Sequence, residues 1–153
     1  MSRENLYQAV NLFGDVLFEG VEMINKEINL DILKHISREQ IDLLNILKKK
    51  GACSPGSLAV SQGVHKSAIS NRLTKLLNKG LIECDETSSI ADKRSKLVRL
   101  TVQGEKTLQE IETAIFQKVE TLLADIEDEK IDTFIDIFTT VKEKLKEKGD
   151  TKE

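Results

Sequence analysis

Residues 54–80 read SPGSLAVSQGVHKSAISNRLTKLLNKG, and this stretch decides the architecture of the chain. Ser54 followed by Pro55 has the pattern of a helix start: a serine hydroxyl caps free backbone N–H groups, and proline at the first helical position gives up an N–H that had no partner. A short helix through Leu58, Ala59 and Val60 ends at Gly63. A second helix follows at once, with Val64, Ile69, Leu73 and Leu76/Leu77 on an inner face and Gly80 closing it. Its outward positions, Lys66, Ser67, Ser70, Asn71, Arg72, Thr74 and Lys75, carry hydroxyl, amide or cationic groups. Two helices joined at a glycine, the second polar and basic outside, have the form of a helix-turn-helix.

Beyond Gly80 the apolar period changes from helical to alternating. Residues 81–86 and 96–101 predict two short strands, and the polar stretch Thr87–Ser95 between them makes a hairpin with a long tip. On the other side, Ser37 with Gln40 three residues later forms a capping box for a helix over 38–50, closed by Lys48-Lys49-Lys50-Gly51. The three lysines read as a solvated helix end, favourable to the dipole, rather than as a phosphate clamp. Toward the termini, Leu6, Val10, Phe13, Leu17, Val21, Ile24 and Ile28 form one stripe on a long helix. Thr101 caps a helix through Leu108, Ile111, Ile115, Val119 and Leu122, and a last helix carries Ile131, Phe134, Phe138, Val141 and Leu145. The charged tail from Lys146 to Glu153 is expected to fray.

The fold class is therefore mainly α with a small β-hairpin, a winged helix-turn-helix flanked by helices whose stripes call for partners. Its division is 1–35, an N-terminal dimerisation helix; 36–104, the winged helix-turn-helix; and 105–153, C-terminal dimerisation helices. In such a unit the second helix enters the DNA major groove. Ser54, His65, Lys66, Ser67, Ser70, Asn71, Arg72 and Lys75 are the candidate groove and phosphate contacts, short polar groups for base edges and cations for the backbone. In the hairpin tip, Asp92, Lys93 and Arg94 join them, with Arg94 suited to a narrow minor groove and Asp92 placed to orient its guanidinium.

Charge distribution points the same way. The whole chain carries only −3, but residues 65–99 hold eight Lys/Arg against four Asp/Glu, whereas residues 102–153 hold eight against fourteen. Local charge, not the net value, is what a polyanion meets. Tyr7, Phe13, Phe18, Phe116, Phe134 and Phe138 all lie outside residues 37–104, so the basic segment offers no ring on which to stack an unpaired base. That favours duplex DNA over single strands or RNA.

Asp92-Lys93-Arg94, five residues, Leu100-Thr101, two residues and Gly104 together resemble the signature of the multiple-antibiotic-resistance-regulator (MarR) family of bacterial winged-helix transcription factors. The stretches Val64–Leu73 and Leu77–Ile82 are similar to that family's recognition helix and its exit into the wing. His65 departs from the pattern, standing where the family usually places a Ser or Thr cap. The resemblance implies a homodimer on a pseudo-palindromic double-stranded operator, most often a repressor, released by a small-molecule effector or an oxidant. The family's usual pocket would draw on Phe13, Phe18 and Phe116 as apolar walls, although rings on a helical stripe also serve as core.

Two other readings stand beside this one. Cys53 and Cys84 admit a cysteine-based oxidant sensor, Cys53 because it stands just before a helix N-terminus, but a packed, inert role is the favoured reading for both. A winged-helix dimer can also bind another protein with little DNA affinity. His35 and His65 stand at no metal-like spacing, scattered carboxylates read as solvated helix surface, and no phosphate loop or nucleophile motif occurs. Neither a metal, nor a cofactor, nor catalysis is expected. No apolar run approaches the roughly 20 residues of a membrane span, no export signal is visible, and two cysteines suit a reducing compartment, so the expected location is cytoplasmic.

Overall fold

The computed structural model describes residues 2–85 and 96–150. The elements are α1 (Arg3–Glu27), a 3-10 turn (Asp31–Lys34), α2 (Arg38–Lys50), α3 (Pro55–Gln62), α4 (Lys66–Asn78), β1 (Ile82–Asp85), β2 (Leu97–Leu100), α5 (Val102–Leu123) and α6 (Asp128–Asp150). Two compact units result, Met1–Phe116 and Gln117–Glu153.

Within the first unit the helix boundaries follow their capping chemistry. Ser37 accepts from the Gln40 N–H while Gln40 accepts from the Ser37 N–H, which is the reciprocal box that the sequence announces. Ser54 caps α3 by accepting from the Ser57 N–H at 3.1 Å, and Gly63, with φ of 64°, ends it in the left-handed conformation that disfavours other residues. The apolar faces of α2, α3 and α4 converge on one core, in which Leu43, Leu44, Leu58, Ile69 and Leu76 are fully buried. Leu81, Ile82, Val98 and Leu108 close it from the strands and α5.

The hairpin pairs Ile82 with Leu100, Glu83 with Arg99, Cys84 with Val98 and Asp85 with Leu97 in antiparallel register. A further rung extends this sheet without any local signal in the sequence. Cys53 joins the far edge of β2, donating its N–H to the Val98 carbonyl at 2.9 Å and accepting from the Val98 N–H at 2.7 Å. The segment before α3 is thus a strand-like rung, not merely a helix approach.

The end helices also differ from expectation in extent. α6 continues through Lys146 to Asp150, where the sequence suggested fraying from 146 onward. Lys and Glu are strong helix formers, and Glu143 with Lys146 and Lys144 with Glu147 place opposite charges three residues apart. A high charge content is compatible with a helix when its signs alternate at this spacing.

Candidate nucleic-acid interface

The proposed reading helix α4 presents its inner face, Ile69, Leu73 and Leu76, to the core, and this fixes which side chains face outward. His65, Lys66, Ser67, Ser70, Asn71, Thr74 and Lys75 are exposed. His65 occupies the N-cap position without making a side-chain cap hydrogen bond, in keeping with its departure from a hydroxyl cap. α4 contains no Asp or Glu, and among the described residues no carboxylate pairs with Lys66 or Lys75. Their charges are available to an external anion.

Two candidates are engaged inside the unit. Arg72 is half-buried, and its Nη1 donates to Gln62 Oε1 at 2.7 Å; Gln62 in turn donates to the Glu39 carbonyl at 2.9 Å. Arg72 therefore braces α4 against α3 and α2 and stands off the exposed strip. Ser54 is half-buried and spends its oxygen on the α3 cap.

A further exposed residue, Asn78, falls on the same strip as Ser67, Asn71 and Thr74, at steps of four, three and four. The periodicity was sufficient to find it. The cap made by Lys79, whose ammonium donates to the His35 carbonyl and to Gln40 Oε1, had no such signal, because its partners are 44 and 39 residues away.

Asp92, Lys93 and Arg94 lie outside the described residues. At the base of the hairpin, Arg99 Nε donates to Glu83 Oε1 at 2.8 Å and Nη1 to Asp85 Oδ2 at 3.1 Å. The hydrogen bond to Glu83, followed by the charge of Asp85, raises the Arg99 pKa further above its ordinary value. This arginine belongs to the basic segment by sequence, yet its charge is matched locally. Lys48 likewise pairs with Glu112 at 2.6 Å and Lys50 donates to Ser61 Oγ, in line with a structural lysine cluster.

A cavity of about 410 Å³ lies where α1, α2 and α5 meet the 3-10 turn. Its apolar lining comes from Val21, Ile24, Ile28, Leu33, Ile36, Ile41, Ile111 and Ile115, with Asn25, Arg38, Asp42 and Asn45 supplying polar groups. Phe13, Phe18 and Phe116 do not line it; all three are exposed on their helices. The stripe spacing could not distinguish a pocket wall from an outer face.

Cys53 is buried and Cys84 half-buried. Both lie opposite Val98, one on each side of β2. Their Cα atoms are thus about 10 Å apart by strand spacing, beyond the roughly 7 Å that a disulfide spans. Among the described residues no group of three or more His, Cys, Asp or Glu could hold a metal ion, and no helix is long and apolar enough to cross a membrane.

The family profile described as MarR family matches residues 36–96. Across 146 residues, 95% of this chain and 96% of the relative, the sequence is 54% identical to the HTH-type transcriptional regulator YdgG of Bacillus subtilis. The chain belongs to the MarR family of helix-turn-helix transcriptional regulators. The fold agrees with solved MarR structures. A MarR family protein from Bacillus stearothermophilus superposes with a TM-score of 0.71 over 95% of this chain and 99% of that one, at 17% identity. An S. aureus MepR variant bound to an oligodeoxyribonucleotide superposes with a TM-score of 0.61 over 90% and 97%, at 22% identity.

The MarR-like signature has a physical explanation in this chain. Thr101 Oγ1 donates to the Gly80 carbonyl at 2.6 Å and accepts from the Gly104 N–H at 3.0 Å, tying the end of α4 to the start of α5. A Cβ at Gly104 would collide with the Leu81 carbonyl, so the close approach requires glycine. The MarR threonine and glycine thus hold together the two ends of the winged segment.

Proposed function

We propose that this MarR-family protein is a ligand-responsive repressor that binds a pseudo-palindromic duplex operator as a homodimer. Residues 36–104 act as the reading unit, and residues 1–35 and 105–153 as the clasp. The observation that carries the reading is the outer face of α4: exposed hydroxyls and amides at Ser67, Ser70, Asn71 and Thr74, flanked by Lys66 and Lys75, without a carboxylate on the helix. Such a face suits base edges in the centre and phosphates at its margins. Lys93 and Arg94 would extend the contact to the minor groove.

Exposed apolar surface supports the dimer. α1 has no buried residue, and Leu6, Tyr7, Val10, Leu12, Phe13, Val16, Leu17 and Phe18 are all exposed along it. α6 exposes Phe134, Ile135, Ile137, Val141 and Leu145. Surfaces of this kind mark interfaces, and a twofold pair would place two reading helices about 34 Å apart, one turn of DNA. The cavity between α1, α2 and α5 falls in the range of small-molecule sites, roughly 300–1,000 Å³, and its predominantly apolar lining suits an effector that is mostly hydrocarbon.

Fluorescence anisotropy against the DNA upstream of the protein's own gene tests the reading. Preference for that DNA over a scrambled duplex, with affinity falling steeply as salt rises, is the expected result. Equal affinity for both duplexes would contradict it.

A further inference from the structure

α4 carries more than a general affinity for DNA, because three observations on one helix restrict which bases it can read. First, Asn71 is exposed, and its carboxamide makes no hydrogen bond to the described residues. A carboxamide offers one donor and one acceptor side by side. Adenine matches that pair with N7 and its N6 amino group, whereas guanine presents two acceptors, N7 and O6, and leaves the amide oxygen opposed.

Second, exposed Thr74 has already spent its only hydroxyl proton, donated to the Ser70 carbonyl at 2.9 Å. To donate to guanine or to thymine O4 the hydroxyl would have to turn away from that carbonyl. Its methyl and the hydroxyl lone pairs remain, and thymine is the base that presents a methyl in the major groove. Third, Arg72, the side chain on α4 best shaped to grip guanine with two parallel hydrogen bonds, is half-buried and commits its Nη1 to Gln62 Oε1, so a two-pronged grip through both terminal nitrogens would first break that bond.

We propose that Asn71 and Thr74 determine specificity for two adjacent A·T pairs at the centre of each half-site, Asn71 taking the adenine edge and the Thr74 methyl packing on a neighbouring thymine methyl. This rests on the DNA-binding reading above. The spacing agrees: residues three apart are displaced by about 4.5 Å along a helix axis, and successive base pairs by about 3.4 Å, so the two side chains meet neighbouring pairs. Both lie on the strip that also carries Ser67 and Asn78.

The test is selection of duplexes from a random pool by the full-length protein, followed by anisotropy on the selected site with single 2′-deoxyuridine-for-thymidine replacements. The expected site has two adjacent A·T pairs in each half. Replacing one thymidine in a single half-site weakens binding about fourfold, the worth of one methyl withdrawn from water. Thr74→Ser, which keeps the hydroxyl and loses the methyl, brings that T-to-U ratio to about one, whereas Thr74→Val keeps it. Asn71→Ala accepts G·C at the adjacent pair. A selected site with G·C at the centre, a wild-type protein indifferent to every deoxyuridine, or a Thr74→Ser variant that keeps the ratio would overturn the inference while leaving DNA binding intact. A protein that retains no duplex from the pool would overturn both readings together.

Discussion

The helices around the reading unit and those at the ends share the same three-four apolar spacing, yet they meet opposite fates. Leu43, Leu44, Leu58, Ile69 and Leu76 are removed from solvent by neighbours in the same chain, whereas α1 has no buried residue and α6 leaves Phe134 and Ile137 more than half exposed. Periodicity shows that a helix needs an apolar partner; it does not say which chain provides it. In the centre, short connections bring α2, α3 and α4 together. At the ends, the proposed homodimer would supply the cover from a second copy.

This contrast fails if central and terminal substitutions behave alike. Leu44→Ala should have the largest effect, about 2–5 kcal/mol of stability by chemical denaturation, because it opens a cavity in a core with no slack. Phe134→Asp combined with Ile137→Asp should leave each chain helical by circular dichroism while weakening self-association about 100-fold or more, two large apolar side chains having lost their cover. A double variant that sediments like the parent would assign those faces another role. Gly104→Ala should cost about 3 kcal/mol, since the added Cβ meets the Leu81 carbonyl, a backbone atom that cannot swing aside as a flexible side chain would. It should lower the melting temperature without altering the sedimentation of the folded fraction. Lys75→Ala should have the smallest effect, weakening binding to all duplexes and reducing the slope of log affinity against log salt by about one.

Most of the local architecture was legible in the sequence because it is written in local chemistry. Ser37 with Gln40, Ser54 with Pro55, and Gly63 each fix an element boundary within a few residues of themselves. The outward face of α4 was legible for the same reason, as the complement of Ile69, Leu73 and Leu76. What could not be read involves partners distant along the chain. Arg72 reads as a free cation in the sequence, but its guanidinium donates to Gln62, which in turn donates to the Glu39 carbonyl. Arg99 looked like part of a basic surface until the strand register set it opposite Glu83. Cys53 looked like a helix approach until Val98 paired with it. Phe13, Phe18 and Phe116 lie on helical stripes, but the cavity takes its walls from isoleucines, leucine and valine closer to the helix junction. In each case the decisive neighbour lies beyond the next turn or rung, from 10 residues away for Arg72 to 45 for Cys53, and no local spacing rule reaches that far.

Sedimentation equilibrium at micromolar concentration, with and without a duplex carrying the operator, tests the account at its centre. The prediction is a species of twice the 17.2 kDa chain mass in free solution, and two chains on one duplex when DNA is added. A folded species of single-chain mass that leaves the duplex unbound at low salt would contradict it.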